Sequence, residues 1–156
     1  MSKLKIRKAK REDCGQILEL IKALALYEKA ENEVSITLAE LEADGFGENP
    51  IYDCIVAEMD RRIVGMALFY EKYSTWKGKA LYLEDLIVTE SKRRSGIGKA
   101  LFEAVIMEAK KRNSGRMEWQ VLEWNQAAID FYKKFAASLD GEWLNGRLSK
   151  AQLDSL

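Results

Sequence analysis

Histidine is absent from this chain of 156 residues, and that absence excludes more chemistry than any other feature of the composition. Ser-His-Asp and Cys-His nucleophilic catalysis and histidine-containing zinc sites all fall away, so proton transfer has to use carboxylates, tyrosine, lysine, cysteine or water. Cysteine is scarce as well. Cys14 and Cys54, with no CxxC spacing, argue against a disulfide scaffold and read as small buried hydrophobes in a reducing compartment. No apolar run reaches the ~18 residues of a membrane span, and the opening Met1-Ser2-Lys3-Leu4-Lys5-Ile6 lacks a signal-peptide core. A soluble, cytoplasmic protein with no membrane partner is expected. Net charge is missing too: lysine plus arginine equal aspartate plus glutamate at 25 each. No global field then draws the chain to nucleic acid or an anionic surface, and partners must be selected locally.

What is present is 47% apolar residues in one domain's length of chain, enough for a real core and for a single domain over residues 1–156. Residues 3–8 alternate apolar and basic side chains like an edge strand. Asp13 then precedes Ile17, Leu20, Ile21 and Leu24 at helical spacing, running to about Tyr27. Thr37-Leu38-Ala39-Glu40 has capping-box form and opens a second helix that stops at Gly45, ahead of loop residues Gly47, Asn49 and the only proline, Pro50. Residues 52–59 and 63–73 flank Asp60-Arg61-Arg62 as a hairpin, residues 75–79 turn again, and residues 80–88 are apolar enough for a central strand. A helix with Leu101, Ala104, Val105, Glu108 and Ala109 on one face ends near Arg112-Asn113-Ser114-Gly115. Residues 117–121 form a short strand, residues 125–135 a last helix, and residues 139–148 strand-like closing segments, with Trp143 read as core. The order predicts an α/β fold: a mixed sheet with helices on its faces.

The most informative stretch is Leu83-Glu84-Asp85-Leu86-Ile87-Val88, followed after a short connector by Arg93-Arg94-Ser95-Gly96-Ile97-Gly98-Lys99 and a long helical pattern. A strand delivers a basic, glycine-bearing turn to a helix start, where free N–H groups and the helix dipole attract a diphosphate. Charge is also segregated. Residues 28–60 hold ten acids against Lys29, and residues 92–116 hold eight bases against Glu103 and Glu108. Such a split suits a reaction between a cationic amine and an anionic nucleotide, or it is two solvated faces.

The Arg-x-x-Gly-x-Gly spacing of the turn resembles the GNAT superfamily of N-acetyltransferases. The likeness becomes specific to the diamine/polyamine group, which holds the spermidine/spermine N1-acetyltransferases and the thialysine N-acetyltransferases. It is carried by Ile6-Arg7, Asp13-Cys14, Leu20-Ile21-Lys22, Tyr27-Glu28, Asp44-Gly45-Phe46-Gly47, Tyr73-Ser74-Thr75-Trp76-Lys77-Gly78, Leu81-Tyr82-Leu83-Glu84-Asp85, the turn itself, and Glu123-Trp124-Asn125-Gln126 with Phe131-Tyr132-Lys133. Arg94 stands where the family often has glycine, and Phe135-Ala136-Ala137 follows the last helix where many members have one.

The resemblance implies the GNAT (acyl-CoA N-acyltransferase) fold with a mixed, mostly antiparallel sheet, acetyl-CoA as donor with no metal, a small cationic amine as acceptor, and a homodimer. It implies direct attack of the amine on the thioester, with Tyr132 as general acid and Glu84 as base through water. On the dipeptide alone, Phe131-Tyr132 reads as core packing. Leu86, Ile87, Val88, Arg93, Arg94, Ser95, Gly96, Ile97, Gly98, Lys99, Asn125 and Tyr132 are the implied cofactor contacts. An oxyanion donor is expected among the backbone N–H groups near Leu86 or Ile87. Tyr27, Glu28, Trp76, Glu84 and Asp85 are the implied acceptor contacts. Alternation along a strand puts Glu84 and Asp85 on opposite faces, so one of them, taken as Glu84, faces the acceptor. Acetylation of a peptide or protein amine, and a non-catalytic CoA-binding sensor, are the alternatives.

Overall fold

The computed structural model describes residues 3–156; Met1 and Ser2, part of the opening read above for a signal peptide, lie outside the described residues. The chain divides into two compact units, one ending at Gln120 and one beginning at Val121. The first is built on a sheet of five strands in the order β1 (Lys5–Lys8), β2 (Asp53–Met59), β3 (Arg62–Ser74), β4 (Gly78–Val88) and β5 (Arg116–Glu118). Neighbours pair antiparallel except β4 and β5, which are parallel, so the sheet is mixed and mostly antiparallel. Asp60 and Arg61 both take positive φ, at 52° and 63°, which lets Met59 pair directly with Arg62 across a two-residue turn.

Helix α1 (Cys14–Tyr27) covers one face of the sheet because Cys14, Ile17 and Leu20 repeat at helical spacing. With Leu41 of α2 (Leu38–Phe46) they pack on Cys54, Val56, Met66, Leu68 and Ile87. Both cysteines are free and buried, as their isolation in the sequence suggested. Only half of the expected capping box opens α2: Thr37 accepts from the Glu40 N–H at 3.1 Å. The start of α1 is fixed by a buried charge network in which Arg7 of β1 donates to both carboxylate oxygens of Asp13 and to Glu58 of β2. Its end is fixed by Lys29 at φ 60°, which allows the Lys29 N–H to reach Leu26 O and the Ala30 N–H to reach Ala25 O. That double closure is a Schellman motif. It holds Tyr27 and Glu28 at a defined exit from the helix.

Helix α3 (Ile97–Lys111) covers the other face with Ile97, Leu101, Phe102, Val105 and Ala109 buried. Close approach depends on Gly65 of β3, where a Cβ would lie 3.0 Å from Ile87 O and Leu101 Cδ1 and 3.3 Å from Ile97 Cγ2. The two charged segments of the sequence meet in ordinary structure here: Arg112 bridges Asp53 at 2.9 Å and Glu108 at 2.9 Å.

The second unit holds α4 (Gln126–Lys133) and α5 (Lys150–Ser155). The expected closing strand over residues 139–148 does not form; apolar alternation there finds no neighbouring strand to bond. Trp143, read as core, is 75% exposed. Helix α5 was not expected, although Ser149 and Gln152 close a capping box on it.

Candidate active site

The ladder between β3 and β4 skips a residue: Phe69 pairs with Leu83 but Leu68 pairs with Asp85, which leaves Glu84 as the extra residue of a bulge. Leu68 and Phe69 face opposite sides of β3, so Leu83 and Asp85 do too, where a regular strand would put them together. The expected alternation of Glu84 and Asp85 is corrected accordingly. Asp85 joins Leu68, Met66 and Ile87 on the face that α1 covers. Glu84 is exposed, and its Oε1 accepts a hydrogen bond from the Tyr70 hydroxyl at 2.9 Å. Tyr70 lies directly across from Tyr82, with ring centroids 5.3 Å apart.

Burial, and then the charges of Glu84 and Glu28, push the Asp85 carboxyl up to about 6. Burial raises Glu28 as well. Tyr70 and Tyr82 are raised by burial first and then by the Glu84 side chain, so both stay protonated. No salt bridge among the described residues involves Glu28, Glu84 or Asp85. Asp85, with the charges of Glu84 and Glu28 acting on it and no salt bridge, favours either a proton or a cationic ligand.

Past Val88 the chain turns tightly into a helix whose start has no side-chain cap. Gly96 is the N-cap of α3 at φ 88°, has no side chain to cap the helix, and leaves the first-turn N–H groups of Ile97, Gly98 and Lys99 directed out of the helix start. A Cβ on Gly96 would meet no atom within 4 Å, so the space beside this residue is open. Ser95 donates its hydroxyl to Lys92 O and tightens the turn. Arg94 takes φ 63°, and Ala136 takes φ 58° beyond α4, so the left-handed turns survive at both positions where glycine is replaced. Arg93 donates from Nε to Val88 O at 3.1 Å, and its guanidinium lies 5.2 Å from the Tyr27 ring centroid. Tyr27 and the cationic turn are therefore tied together.

Leu86, Ile87 and Val88 close β4 opposite Ala67, Met66 and Gly65. β5 pairs β4 only over Ala80–Tyr82, so beyond Tyr82 the β5-side edge of β4 has no strand on it. Trp76 sits apart from the carboxylates. It caps the β3–β4 hairpin, 81% exposed, and Asp85 lies seven residue steps along β4 from Gly78, about 23 Å at ~3.3 Å per residue. Asn125 and Tyr132 belong to the second unit. There Asn125 Oδ1 caps α4 by accepting from the Ala128 N–H at 3.3 Å, and Tyr132 is buried with its ring edge-on to Phe131 at 5.2 Å.

The acetyltransferase (GNAT) family pattern matches residues 16–137. This chain belongs to the acetyltransferase (GNAT) family. It is 43% identical over 145 residues to a thialysine N-epsilon-acetyltransferase of Bos taurus, covering 88% of this chain and 85% of that one. It is 36% identical over 163 residues to a spermidine/spermine N(1)-acetyltransferase-like protein of Homo sapiens, covering 98% of this chain and 24% of that longer one. An aminoglycoside N-acetyltransferase solved with CoA superposes with a TM-score of 0.77 at 18% identity, over 95% of this chain and 96% of that one, and so shares the fold.

A GNAT chain is an acetyl-transferring enzyme, and the family's donor is acetyl-CoA. The uncapped α3 start, the open space beside Gly96 and the surrounding Lys92, Arg93, Arg94 and Lys99 fit the diphosphate of that donor. Tyr70 and Tyr82 were missed by sequence reasoning. The signal existed: counting outward from the Thr75–Lys77 turn pairs Ser74 with Gly78 and, four steps on, Tyr70 with Tyr82. Among the described residues no helix is long and apolar enough to cross a membrane.

Proposed function

We propose that the whole chain, residues 1–156, is an acetyl-CoA-dependent N-acetyltransferase of a small cationic amine, a polyamine, diamine or thialysine-like amino acid. The observation that carries this reading is the group of carboxylates Glu28, from the end of α1, and Glu84 and Asp85 of β4, the strand that leads into the uncapped turn, with none of the three in a salt bridge among the described residues. A cationic acceptor and an anionic donor would then be drawn to opposite ends of one short path. The relatives named for thialysine and for spermidine/spermine support the same acceptor class.

When bound, acetyl-CoA supplies a thioester whose carbonyl an amine can attack. Backbone N–H groups of Ile97, Gly98 and Lys99, with Arg93, Arg94 and the Ser95–Gly96 turn, hold its diphosphate. The outer edge of Leu86, Ile87 and Val88 offers backbone donors to its arm and to a developing oxyanion. Glu28, Asp85 and the face of Tyr27 hold the acceptor's charge, whereas Trp76, at the far turn of the hairpin, lies too distant to share it. Glu84 takes a proton from the acceptor ammonium through water. Tyr132, a phenol mostly protonated at neutral pH, gives one to the departing thiolate, and Asn125 hydrogen-bonds the cofactor arm. The exposed Trp143, Leu144, Leu148, Leu153 and Leu156 form apolar surface that a second copy in a homodimer would cover, and the free buried cysteines suit the cytoplasm.

The test is release of free thiol from acetyl-CoA with spermidine, spermine, putrescine, thialysine, lysine or a basic peptide as acceptor. Turnover with the small diamines or thialysine is expected. Turnover with the peptide alone would transfer the assignment to protein amines, and cofactor binding without turnover on any acceptor would make the chain a sensor.

A further inference from the structure

Resting on the reading of Glu84 as base, we propose that Tyr70 is its positioning residue: the phenol fixes Glu84 Oε1 and leaves Oε2 to receive the acceptor's proton. Glu84 is the extra residue of the β4 bulge, so no ladder partner constrains it, and an exposed glutamate side chain in that position would sample several rotamers. The hydrogen bond from Tyr70 at 2.9 Å supplies the missing constraint. Tyr70 is itself held, through its ring contact with Tyr82 directly across the hairpin. Tyr82 in turn lies under Lys72, whose Nζ is 5.4 Å from the ring centroid and bridges Glu118 of β5 at 2.8 Å. Three strands thus hold one carboxylate oxygen.

The second contribution is electrostatic. The charged and titratable groups around this carboxylate are Asp85 on its own strand, which Glu28 from the end of α1 approaches in turn, and the phenols of Tyr70 and Tyr82. Neighbouring carboxylates favour the protonated form of a base, whereas a donor hydrogen bond favours the anion. A phenol that does not ionise over the working pH range remains a donor throughout. In the transfer, the ammonium nitrogen loses a proton to water, and that water loses one to Oε2, which leaves neutral amine, water and carboxylic acid. A base already protonated could not take part.

The experiment compares pH profiles of kcat/KM for a diamine in wild type, Tyr70→Phe and Glu84→Gln, with cofactor affinity measured by calorimetry. Phenylalanine keeps the ring against Tyr82, so folding and acetyl-CoA affinity are expected to be unchanged. The acidic limb should move up by about half to one pH unit in Tyr70→Phe, the effect of losing one hydrogen bond to a carboxylate, and disappear in Glu84→Gln. A limb lost in Glu84→Gln but unmoved in Tyr70→Phe, even with a uniform drop in rate, overturns the role of Tyr70 and leaves Glu84 as base. A limb that persists in Glu84→Gln removes the base assignment itself and the Tyr70 role with it.

Discussion

Asp85→Asn should stabilise this protein at neutral pH, and by an amount that depends on pH in a defined direction. The carboxyl is pushed from its ordinary 3.8 up to about 6 by burial, with smaller contributions from the charges of Glu84 and Glu28. That separation corresponds to about 3 kcal/mol, at ~1.4 kcal/mol per pH unit, by which the ionised group opposes folding. The sign follows from proton uptake. As pH falls through about 6 the folded chain binds a proton on Asp85, while the unfolded chain waits until 3.8, so the opposing contribution is full above 6 and is relieved between those values. Asparagine has nearly the same shape and no charge. The gain in Asp85→Asn should therefore be about 3 kcal/mol at pH 7.5, shrinking to about 1 kcal/mol at pH 4.5. For a chain of this length that is roughly 6–12 °C in Tm at the higher pH. Thermal and urea unfolding at the two pH values measure it. An equal or lower Tm for the variant at pH 7.5, or a gain that does not shrink in acid, would refute the argument. The stabilised variant is expected to bind cationic acceptors more weakly, because the charge that opposes folding is the charge that recognises them.

Gly96→Ala should weaken acetyl-CoA binding at least tenfold by calorimetry, since the φ of 88° resists a side chain and relieving it would shift the turn that presents the α3 donors; unchanged affinity in the folded variant would remove the phosphate cradle. Tyr132→Phe should lower kcat by roughly 100-fold or more while leaving cofactor affinity intact, as loss of a general acid does; a near-normal rate would return Tyr132 to the core of α4. Glu28→Gln should raise KM for a diamine about fivefold, with added salt having a similar effect on the wild type, because the carboxylate is only half-buried. Equal KM values for a diamine and a neutral-tailed amine would exclude electrostatic selection.

Much of the fold could be read from the sequence because periodicity is strong where burial is two-sided. Strands β2, β3 and β4, helices α1 and α3, and the turn between β4 and α3 emerge within a residue or two of their observed limits. Reading failed where pattern lacked a partner. Residues 139–148 alternate like a strand but bond no neighbour, and Trp143 points into solvent. The site was legible in its residue types and not in its geometry. A bulge at Leu83-Glu84-Asp85 carries no glycine or other local mark, since it is defined by the register of β3, and register lies in pairings far apart in sequence. For the same reason the hydrogen bond from Tyr70 to the bulged Glu84 could not be read, although the pairing of Tyr70 with Tyr82 could, and the distance of Trp76 from the carboxylates became apparent only once the hairpin was measured along β4.

Gly65 gives the molecule a spacer of zero thickness. It pairs with Val88, the last residue of β4, and the missing Cβ is what allows Ile97, the first residue of α3, and Leu101 to rest on the strand. The last residues of β4, just past Glu84 and Asp85, and the uncapped start of α3 are therefore held at one separation by an atom that is not there. A methyl group at this position would lie 3.0 Å from Ile87 O and Leu101 Cδ1 and 3.3 Å from Ile97 Cγ2, so strand or helix side chains would have to give by a few tenths of an ångström. Gly65 thus works as a ruler between strand and helix, and under the proposed function the length it sets is the length of donor arm that would place a reactive carbonyl beside Glu84.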